Sequence, residues 1–317
     1  MTLQQLEYAL VLQQYCSFNQ AAKQLGISQP ALSVQIKKLE GELGLILFDR
    51  SQKKVSITQK GEVFLDRAKL LLNESKQLFQ IADQLKDQVT GELRIGIIPT
   101  LAPYLLPLFI EELQEKFTQL KVYIKEALTD EIIQDLKTGV LDGGIISTPI
   151  SSNIQLADTP LFYEGFKLFV SHEHPLYNKS TIGVTSIPPE DIWLLREGNC
   201  FRDQIDNICE ISKRNPGLNH FHYESNSIES LCRIVEFKGG ITFLPELSTM
   251  HLDSDREDMI KELSGAKRVR EISLVHLPNH VRLDDLTRLG QVIKNNLPKS
   301  MLAKGKTESV PTNVKIG

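Results

Sequence analysis

The alternation of short apolar strands with helical segments between residues 93 and about 297 constrains the fold more than any other feature. Strands are predicted at residues 93–98, 121–126, 143–147, 166–171, 192–195, 240–244 and 272–276. Helices are predicted at residues 102–117, 129–137, 202–212, 227–237 and 283–296. Strands that alternate with helices in this way are typical of an α/β body. We expect this body to form two lobes with a cleft between them.

A helix-turn-helix pattern precedes this body. A first helix is predicted at residues 3–14 from the spacing of its apolar side chains, and residues 18–33 carry a more specific pattern. Ala22 allows two helices to approach closely, and Gly26 lies four residues later, where the chain must turn. Ser28 is a natural N-cap for the second helix of this motif. This order predicts a helix-turn-helix.

The exposed face of that second helix predicts contacts with DNA. Gln and Ser side chains can read base edges, and Lys side chains suit phosphates. Two short strands are predicted on either side of residues 51–53, and they would form a basic wing. The alternative is a solvated face of an ordinary three-helix bundle. The predicted DNA-contacting residues are Ser28, Gln29, Pro30, Ser33, Gln35, Lys37 and Lys38 on the helix and Arg50, Lys53 and Lys54 on the wing.

A long helix is predicted at residues 59–88, between the winged unit and the α/β body. It has too many apolar residues for an isolated, solvated helix. We expect it to bury them against a second copy of the chain, although packing on its own body is the alternative. These apolar residues are Val63, Phe64, Leu70, Leu71, Leu78, Ile81 and Leu85.

The charge is distributed unevenly along the chain. Residues 1–61 hold seven Lys and Arg side chains against four Asp and Glu, whereas the whole chain has a formal charge of -4. A basic head on an acidic body suggests a small nucleic-acid-binding module followed by a different unit.

The hydrophobic content of 41% and charged content of 24% exclude a disordered or membrane-spanning chain. The N-terminal residues show no export signal, so we expect a cytoplasmic protein that does not contact the membrane.

Two of the four cysteines, Cys200 and Cys209, lie nine positions apart in a segment that reads as a helix. A helix would place their Cα atoms about 13 Å apart, whereas a disulfide needs about 4.4 to 6.8 Å. Bond formation would therefore melt the helix. Asn199 can cap it, which leaves Cys200 near the positive end and close to Arg202, conditions that favour a thiolate. The alternative is that both cysteines, like Cys16 and Cys232, are small core residues.

The residues of the helix-turn-helix resemble those of LysR-type transcriptional regulators. The resemblance rests on Ala21-Ala22, Leu25, the run Ser28-Gln29-Pro30-Ala31-Leu32-Ser33, Ile36, Leu39-Glu40, Leu43-Gly44 and Leu47-Phe48. It implies a winged helix-turn-helix at residues 1–58 and a dimerising linker helix at 59–90. It further implies a two-lobed effector domain like the periplasmic binding proteins at 91–300, with lobe I at about 91–163 and 268–300 and lobe II at about 164–267. Such proteins are usually homotetramers. The polar tail, residues 301–317, is predicted to be disordered.

Within that family, residues 98–107, 198–204 and 239–245 are similar to the OxyR-type peroxide-sensing branch. The resemblance implies that Cys200 reacts with peroxide and that Cys209 is its disulfide partner. It also places Thr100, Thr129, Asn199 and Arg270 at the peroxide pocket. This branch often has histidine where the chain has Asn199, so the reactivity of the thiol is expected to differ if that histidine tunes it.

The implied function is a transcriptional activator that senses hydrogen peroxide through a reversible Cys200–Cys209 disulfide and controls oxidative-stress genes. Its expected partners are promoter DNA, RNA polymerase, hydrogen peroxide, a cellular thiol reductant and further copies of the chain. One rival is a LysR-type regulator that binds a small organic co-inducer in the interlobe cleft, with bystander thiols. A second rival is a thiol peroxidase, against which the basic head and the dimerising helix argue, so no enzyme is expected. No cofactor or metal site is predicted, because the seven His show no ligand spacing.

Overall fold

The computed structural model describes residues 1–312 except 51–54, 85–90, 151–154, 211–222, 251, 253, 265–267, 279 and 306, and it leaves the side chains at 76, 77 and 79–84 undescribed. The chain divides into two compact units. The first comprises residues 1–90 with 138–140, and the second comprises residues 91–137 with 141–317. Among the described helices, none is long and apolar enough to cross a membrane.

Three helices form the N-terminal unit's helix-turn-helix: α1 (Leu3–Tyr15), α2 (Phe18–Leu25) and α3 (Gln29–Leu43). Gly26 ends α2 with a φ of 66°, a left-handed conformation that glycine adopts at little cost. Ser28 caps α3, since its side chain accepts a hydrogen bond from the Ala31 amide at 3.3 Å. The prediction of a helix-turn-helix is confirmed.

A small antiparallel wing follows, made of β1 (Phe48–Asp49) and β2 (Ser56–Ile57). Phe48 is buried in the same hydrophobic core as Leu32 and Ile36 of α3. The wing is therefore fixed to α3 by a shared hydrophobic core. The predicted wing residues Lys53 and Lys54 lie outside the described residues.

The long helix α4 runs from Gln59 to Gln84. Leu65 and Ala68 are buried in the N-terminal core, and α4 packs against α1. Val63 and Leu78 are each 68% exposed. Val63 and Leu78 are thus left uncovered by the chain itself, whereas Phe64 of the same predicted set packs against the N-terminal core, and dimerisation through α4 stays a prediction. The predicted end of the helix near residue 88, and the side chains of Ile81 and Leu85, lie outside the described part of the chain.

The start of α4 depends on a close backbone approach at Gly61. The Thr58 hydroxyl accepts a hydrogen bond from the Gly61 amide at 2.9 Å, and a Cβ at Gly61 would overlap the Leu47 carbonyl group. We expect Gly61→Ala to lower the free energy of unfolding of the N-terminal unit by about 1–3 kcal/mol, because backbone has to move. Urea denaturation would measure this.

Gly41 provides the matched control for that substitution. A Cβ at this exposed position on α3 meets no atom within 4 Å. Alanine is favoured over glycine inside a helix by about 1 kcal/mol, so Gly41→Ala should leave stability unchanged or raise it. Equal losses of stability in the two variants would contradict the proposed overlap at Gly61.

The second unit is an α/β body. Its elements in chain order are β3 (Gly91–Ile97), α5 (Ala102–Lys116), β4 (Leu120–Glu126), α6 (Thr129–Lys137), β5 (Gly143–Thr148), β6 (Ala157–Val170), β7 (Thr181–Gly183), β8 (Ile192–Trp193), α7 (Cys200–Cys209), α8 (Ile228–Lys238), β9 (Ile241–Pro245), α9 (Ser254–Glu257), β10 (Ile260–Ser264), β11 (Arg268–His276), α10 (Leu283–Asn295) and β12 (Glu308–Ser309). The strand order is β4-β3-β5-β11-β6-β10-β7, with β12 beside β11, β9 beside β6 and β8 beside β9.

The strand β6 links the two halves of this body. Residues 157–165 pair with β11, and residues 166–170 pair with β9, with β10 beside the same stretch. Buried side chains form a first core around β3, α5, β5, β11 and α10, and a second core around the end of β6, β9, α7 and α8. The prediction of a two-lobed α/β effector domain is confirmed.

Residues 308–312 are ordered, although residues 301–317 were predicted to be disordered. Residues Glu308–Ser309 form a parallel strand beside β11, and Val310 and Thr312 are buried at 5% and 0% exposure. The prediction is wrong for this segment, because backbone pairing with an open strand edge does not require an apolar sequence. Residues 306 and 313–317 lie outside the description.

Candidate functional site

Cys200 is the first residue of α7 and is buried at 4% exposure. Asn199 caps the helix: its Oδ1 accepts a hydrogen bond from the Phe201 amide at 3.0 Å, and the cap itself is buried. The sulfur therefore lies at the positive end of a helix dipole, out of contact with bulk water.

Arg270 of β11 supplies the buried cation of the site. Its Nη1 donates to Thr100 Oγ1 at 3.0 Å and its Nη2 to the Thr100 carbonyl at 3.4 Å. Its Nε donates to Glu164 Oε1 at 2.6 Å. The guanidinium also lies over the Phe201 ring, 5.0 Å from its centroid. One side chain thus connects the loop before α5, the strand β6 and the first turn of α7.

The pKa of the Cys200 thiol reflects opposing effects. Burial is the largest effect and raises the pKa, whereas the charge of Arg270 lowers it. The Thr129 hydroxyl, buried beside the thiol, also lowers the pKa of Cys200. Among the other described residues, none forms a hydrogen bond with the Thr129 hydroxyl. Since a thiolate is the reactive form, Arg270 and Thr129 favour its formation against the larger effect of burial and the charge of Asp203, which both raise the pKa of Cys200.

The structure thus places three of the four residues predicted at the peroxide pocket, Thr129, Asn199 and Arg270, next to Cys200, and the fourth, Thr100, accepts hydrogen bonds from Arg270. The predicted effect of Arg202 differs. Its Nη1 donates to the Leu195 carbonyl at 2.9 Å, and its Nη2 lies 3.6 Å from Glu197. The cation that lowers the pKa of the thiol comes from a distant strand and not from the next turn of the helix.

Sequence reasoning missed Glu164. This carboxylate is fully buried, and its Oε2 accepts a hydrogen bond from the Leu247 amide at 2.9 Å. Burial raises the pKa of Glu164, and the Arg270 guanidinium opposes the rise. Glu164 and Arg270 are cross-strand neighbours in the β6–β11 register. The available sequence signal was one acidic residue within the largely apolar run of residues 161–170, because an acid in a core is rarely buried unless it is paired.

Cys209 ends α7 and is buried at 2% exposure. Its side chain belongs to the second core, whereas the side chain of Cys200 belongs to the first. All four cysteines are thiols. With α7 intact, nine residues of helix rise separate Cys200 from Cys209 by about 13 Å, so this is the dithiol state.

The other two cysteines lie in different surroundings. Cys232 of α8 is buried, and burial raises its pKa to about 12. Cys16 ends α1 in a left-handed conformation, and its Sγ donates to the Gln13 carbonyl at 3.3 Å. Since reactivity requires the thiolate, Cys232 is a poor candidate for oxidation.

A cavity of about 1100 Å³ opens beside Cys209. It is lined by parts of β6, β7, α7, β10 and β11 and by C-terminal residues that include Met301, Lys304 and Thr307. The charged side chains in its wall are of both signs: Lys167, Arg268 and Lys304, and Glu210, Glu246 and Glu262. None of the residues around Cys200 lines this cavity, so the buried thiol site and the open cavity are separate features.

Most of the DNA-contacting residues predicted at and next to α3 lie at the surface. Ser28, Gln29, Pro30, Lys37 and Lys38 are exposed, and Ser33 is half-buried. This surface combines Gln and Ser side chains, which can read base edges, with Lys side chains, which suit phosphates.

Gln35 and Arg50 are engaged within the protein, and Val34, which was not predicted, is exposed. Gln35 Oε1 accepts a hydrogen bond from Gln5 at 3.3 Å. Arg50 forms an ion pair with Glu40 at 2.8 Å and lies over a phenylalanine ring. Val34 is 62% exposed on the same face as Lys38, where an apolar side chain can contact a thymine methyl group. Its only sequence signal is a four-residue spacing from Pro30 and Lys38.

Two family models match the chain. Residues 3–62 match the bacterial regulatory helix-turn-helix protein, lysR family. Residues 86–298 match the LysR substrate binding domain. Together they include the recognition helix and the Cys200 site.

Curated relatives are similar over most of the chain. A hydrogen peroxide-inducible genes activator from Haemophilus influenzae is 33% identical over 95% of this chain and 99% of its own length. The DNA-binding transcriptional dual regulator OxyR from Escherichia coli is 36% identical over 78% of this chain and 80% of its own length.

Solved structures agree with the curated relatives. A full-length OxyR variant from Pseudomonas aeruginosa is 31% identical, covers 93% of this chain and 95% of its own, and superposes with a TM-score of 0.72. A hydrogen peroxide-bound OxyR mutant from Corynebacterium glutamicum is 27% identical, covers 93% of this chain and 92% of its own, and has a TM-score of 0.58.

Proposed function

The chain belongs to the LysR family of bacterial regulatory proteins, in its hydrogen peroxide-responsive branch, and from this premise we propose that a reversible Cys200–Cys209 disulfide controls its binding to promoter DNA. It acts as a transcriptional activator of oxidative-stress genes and not as an enzyme. The observation that carries the proposal is the placement of two buried thiols at opposite ends of α7, one of them beside Arg270, Thr129 and a helix N-terminus.

The first step is oxidation of Cys200. The thiolate attacks one oxygen of hydrogen peroxide, the O–O bond breaks, and hydroxide leaves and takes up a proton to become water. The product is a sulfenic acid at Cys200. Arg270 stabilises the thiolate, and the Thr100 and Thr129 hydroxyls can hold the peroxide oxygens by hydrogen bonds. Asn199 keeps the helix dipole directed at the sulfur.

The second step joins the two sulfurs. The thiol of Cys209 loses its proton and attacks the sulfenic sulfur, the S–S bond forms, and water leaves. The thiols must approach each other from opposite ends of α7, so the helix has to unwind. Unwinding disturbs the packing of both cores. It therefore supplies a two-state element through which the effector domain can shift the DNA-binding heads of an oligomer along the duplex.

The remaining parts of the proposal follow the family. Residues 1–58 bind DNA, residues 59–90 dimerise, and residues 91–300 sense peroxide. The chain acts in the cytoplasm as a homodimer or homotetramer and engages RNA polymerase. A cellular thiol, such as glutathione or a dithiol reductase, returns two electrons to the disulfide and restores the helix.

Peptide mapping tests the thiol mechanism. The purified protein is digested without reductant, before and after treatment with one equivalent of hydrogen peroxide, and the peptide masses are measured by mass spectrometry. We expect a Cys200–Cys209 linkage that appears with peroxide and disappears with dithiothreitol. If the thiols stay free after peroxide, the result would instead favour a regulator that binds a small organic co-inducer. Steady peroxide turnover with a thiol donor would favour a peroxidase.

Salt-dependent DNA binding tests the recognition helix. The probe is a duplex selected from a random-sequence pool by the wild-type protein. We expect Lys37→Gln and Lys38→Gln each to weaken binding and to lower the slope of log affinity against log salt by about 1, since each lysine would release counterions from a phosphate. Lys121→Gln, an exposed position of the effector unit, is the control and should leave the slope unchanged. Slopes equal to that of the wild type in all three variants would remove these lysines from the interface.

A further inference from the structure

The C-terminal strap, which we define as residues 308–312, is held by side chains of α7. Gln204 Nε2 donates to the Val310 carbonyl at 2.7 Å, and Asn207 Nδ2 donates to the Pro311 carbonyl at 3.1 Å. Gln204 is fully buried in the middle of the helix. The segment that must unwind for disulfide formation is therefore also the segment that fixes the end of the chain.

Other contacts hold the strap against lobe residues that the disulfide does not involve. The Val310 amide donates to the Val269 carbonyl at 2.9 Å, and β12 pairs with β11. The amide and hydroxyl of Thr312 both reach the Pro149 carbonyl, at 3.0 Å and 3.2 Å. Val310 itself is packed in the second core with Cys209. The strap thus joins α7 to the central sheet along one edge.

The Gln204 side chain makes this joint sensitive to helix unwinding. Its Nε2 donates to Ser147 Oγ at 3.0 Å as well as to Val310. Its Oε1 is buried with no hydrogen-bond partner among the residues the structure describes. A buried amide that moves without finding new partners costs free energy. Any unwinding of α7 that carries Gln204 away also removes its amide donor from the Val310 carbonyl and from Ser147 Oγ, which keeps its hydrogen bond to the Glu271 carbonyl.

We propose that Gln204 and the strap are positioning elements that keep α7 helical, and that they slow the second oxidation step, disulfide formation, without affecting the first. Conversely, the disulfide loosens the strap. The inference rests on the proposed thiol mechanism and extends it to residues that touch neither sulfur nor peroxide. The expected consequence is a longer lifetime of the Cys200 sulfenic acid. The reaction itself is unchanged, since attack by Cys209 still forms the S–S bond and releases water.

The test compares two truncations of the full chain. One ends after Thr307 and lacks the strap, and the control ends after Thr312 and keeps it. After one equivalent of hydrogen peroxide, dimedone quenching at timed intervals measures the sulfenic acid, and mass spectrometry measures the disulfide. We expect disulfide formation to be about tenfold faster without the strap, since two helix contacts are lost. Peroxide consumption should proceed at the wild-type rate in both truncations.

A point variant and a second readout guard against misfolding. Val310→Ala keeps the strap backbone and should give a smaller acceleration. In the full-length chain, hydrogen exchange of the Val310 and Thr312 amides should be slow in the dithiol state and faster in the disulfide state. Equal rates of disulfide formation and unchanged exchange would overturn the inference. Failure of the wild-type chain to form any Cys200–Cys209 bond would instead overturn the proposed function.

Discussion

Replacing Cys200 with serine is expected to abolish both the sulfenic acid and the disulfide, while Cys209→Ser should stop the reaction after the first step. A serine hydroxyl at position 200 does not displace hydroxide from peroxide, so no oxidised species forms. In the Cys209 variant the sulfenic acid has no resolving thiol and persists. Dimedone labelling followed by mass spectrometry separates the two outcomes, with one label per chain in Cys209→Ser and none in Cys200→Ser. The peroxide-dependent change in DNA binding should be lost in both.

Cys232→Ser is the matched control for this pair. Cys232 is a buried cysteine of the same effector unit, and burial raises its pKa to about 12. Its replacement should leave peroxide oxidation and DNA binding as in the wild type. Loss of the response in Cys232→Ser, or its survival in Cys200→Ser, would contradict the assignment of the reactive thiol.

Arg270→Gln is expected to slow oxidation of Cys200 by about 100-fold at pH 7, a loss typical of removing one preorganised donor from a buried reactive centre. The Arg270 charge lowers the pKa of Cys200, so its removal raises that pKa further. The rate of the variant should therefore continue to rise with pH beyond the point where the wild-type rate levels off. Stopped-flow measurement of peroxide consumption across the pH range gives both quantities.

The same substitution leaves the buried carboxylate of Glu164 without its partner. Breaking a buried ion pair costs about 3–5 kcal/mol. Burial already raises the pKa of Glu164, so the carboxyl can take up a proton and the loss should fall toward the lower end of that range. Arg288→Gln, at an exposed arginine of the same unit, is the control for stability and rate. Equal oxidation rates in the Arg270 and Arg288 variants would remove Arg270 from the site.

The DNA-binding unit could be predicted from local sequence because its signals lie within a few residues of each other. The Ser28 cap, the Gly26 turn and the Ala22 contact each act over less than two helical turns. The alternation of strands and helices likewise predicted the α/β body. The first part of β6, residues 157–165, was missed, since its first four residues include two polar side chains and a proline, and neither feature suggests a strand.

The sensing site could be predicted only through the resemblance to a family. Spacing alone identified two thiols on one helix, and it left open whether they react. Glu164 lies 106 residues from Arg270 in the sequence, and only the register of β6 with β11 brings the two together. The C-terminal strap was missed for a similar reason, because its order depends on an open strand edge and on the amide of Gln204.

The two thiols lie in separate hydrophobic cores, and this placement affects how readily the disulfide is reduced back to the dithiol. The disulfide removes at least one sulfur from the core that buries it in the dithiol state, and it gives up the helix as well. Both losses favour the dithiol over the disulfide. Each 1.4 kcal/mol of this preference makes the reduction potential about 30 mV less negative. Under the proposed mechanism we therefore expect the disulfide to oxidise cellular thiols, so that the peroxide signal fades once the oxidant has gone.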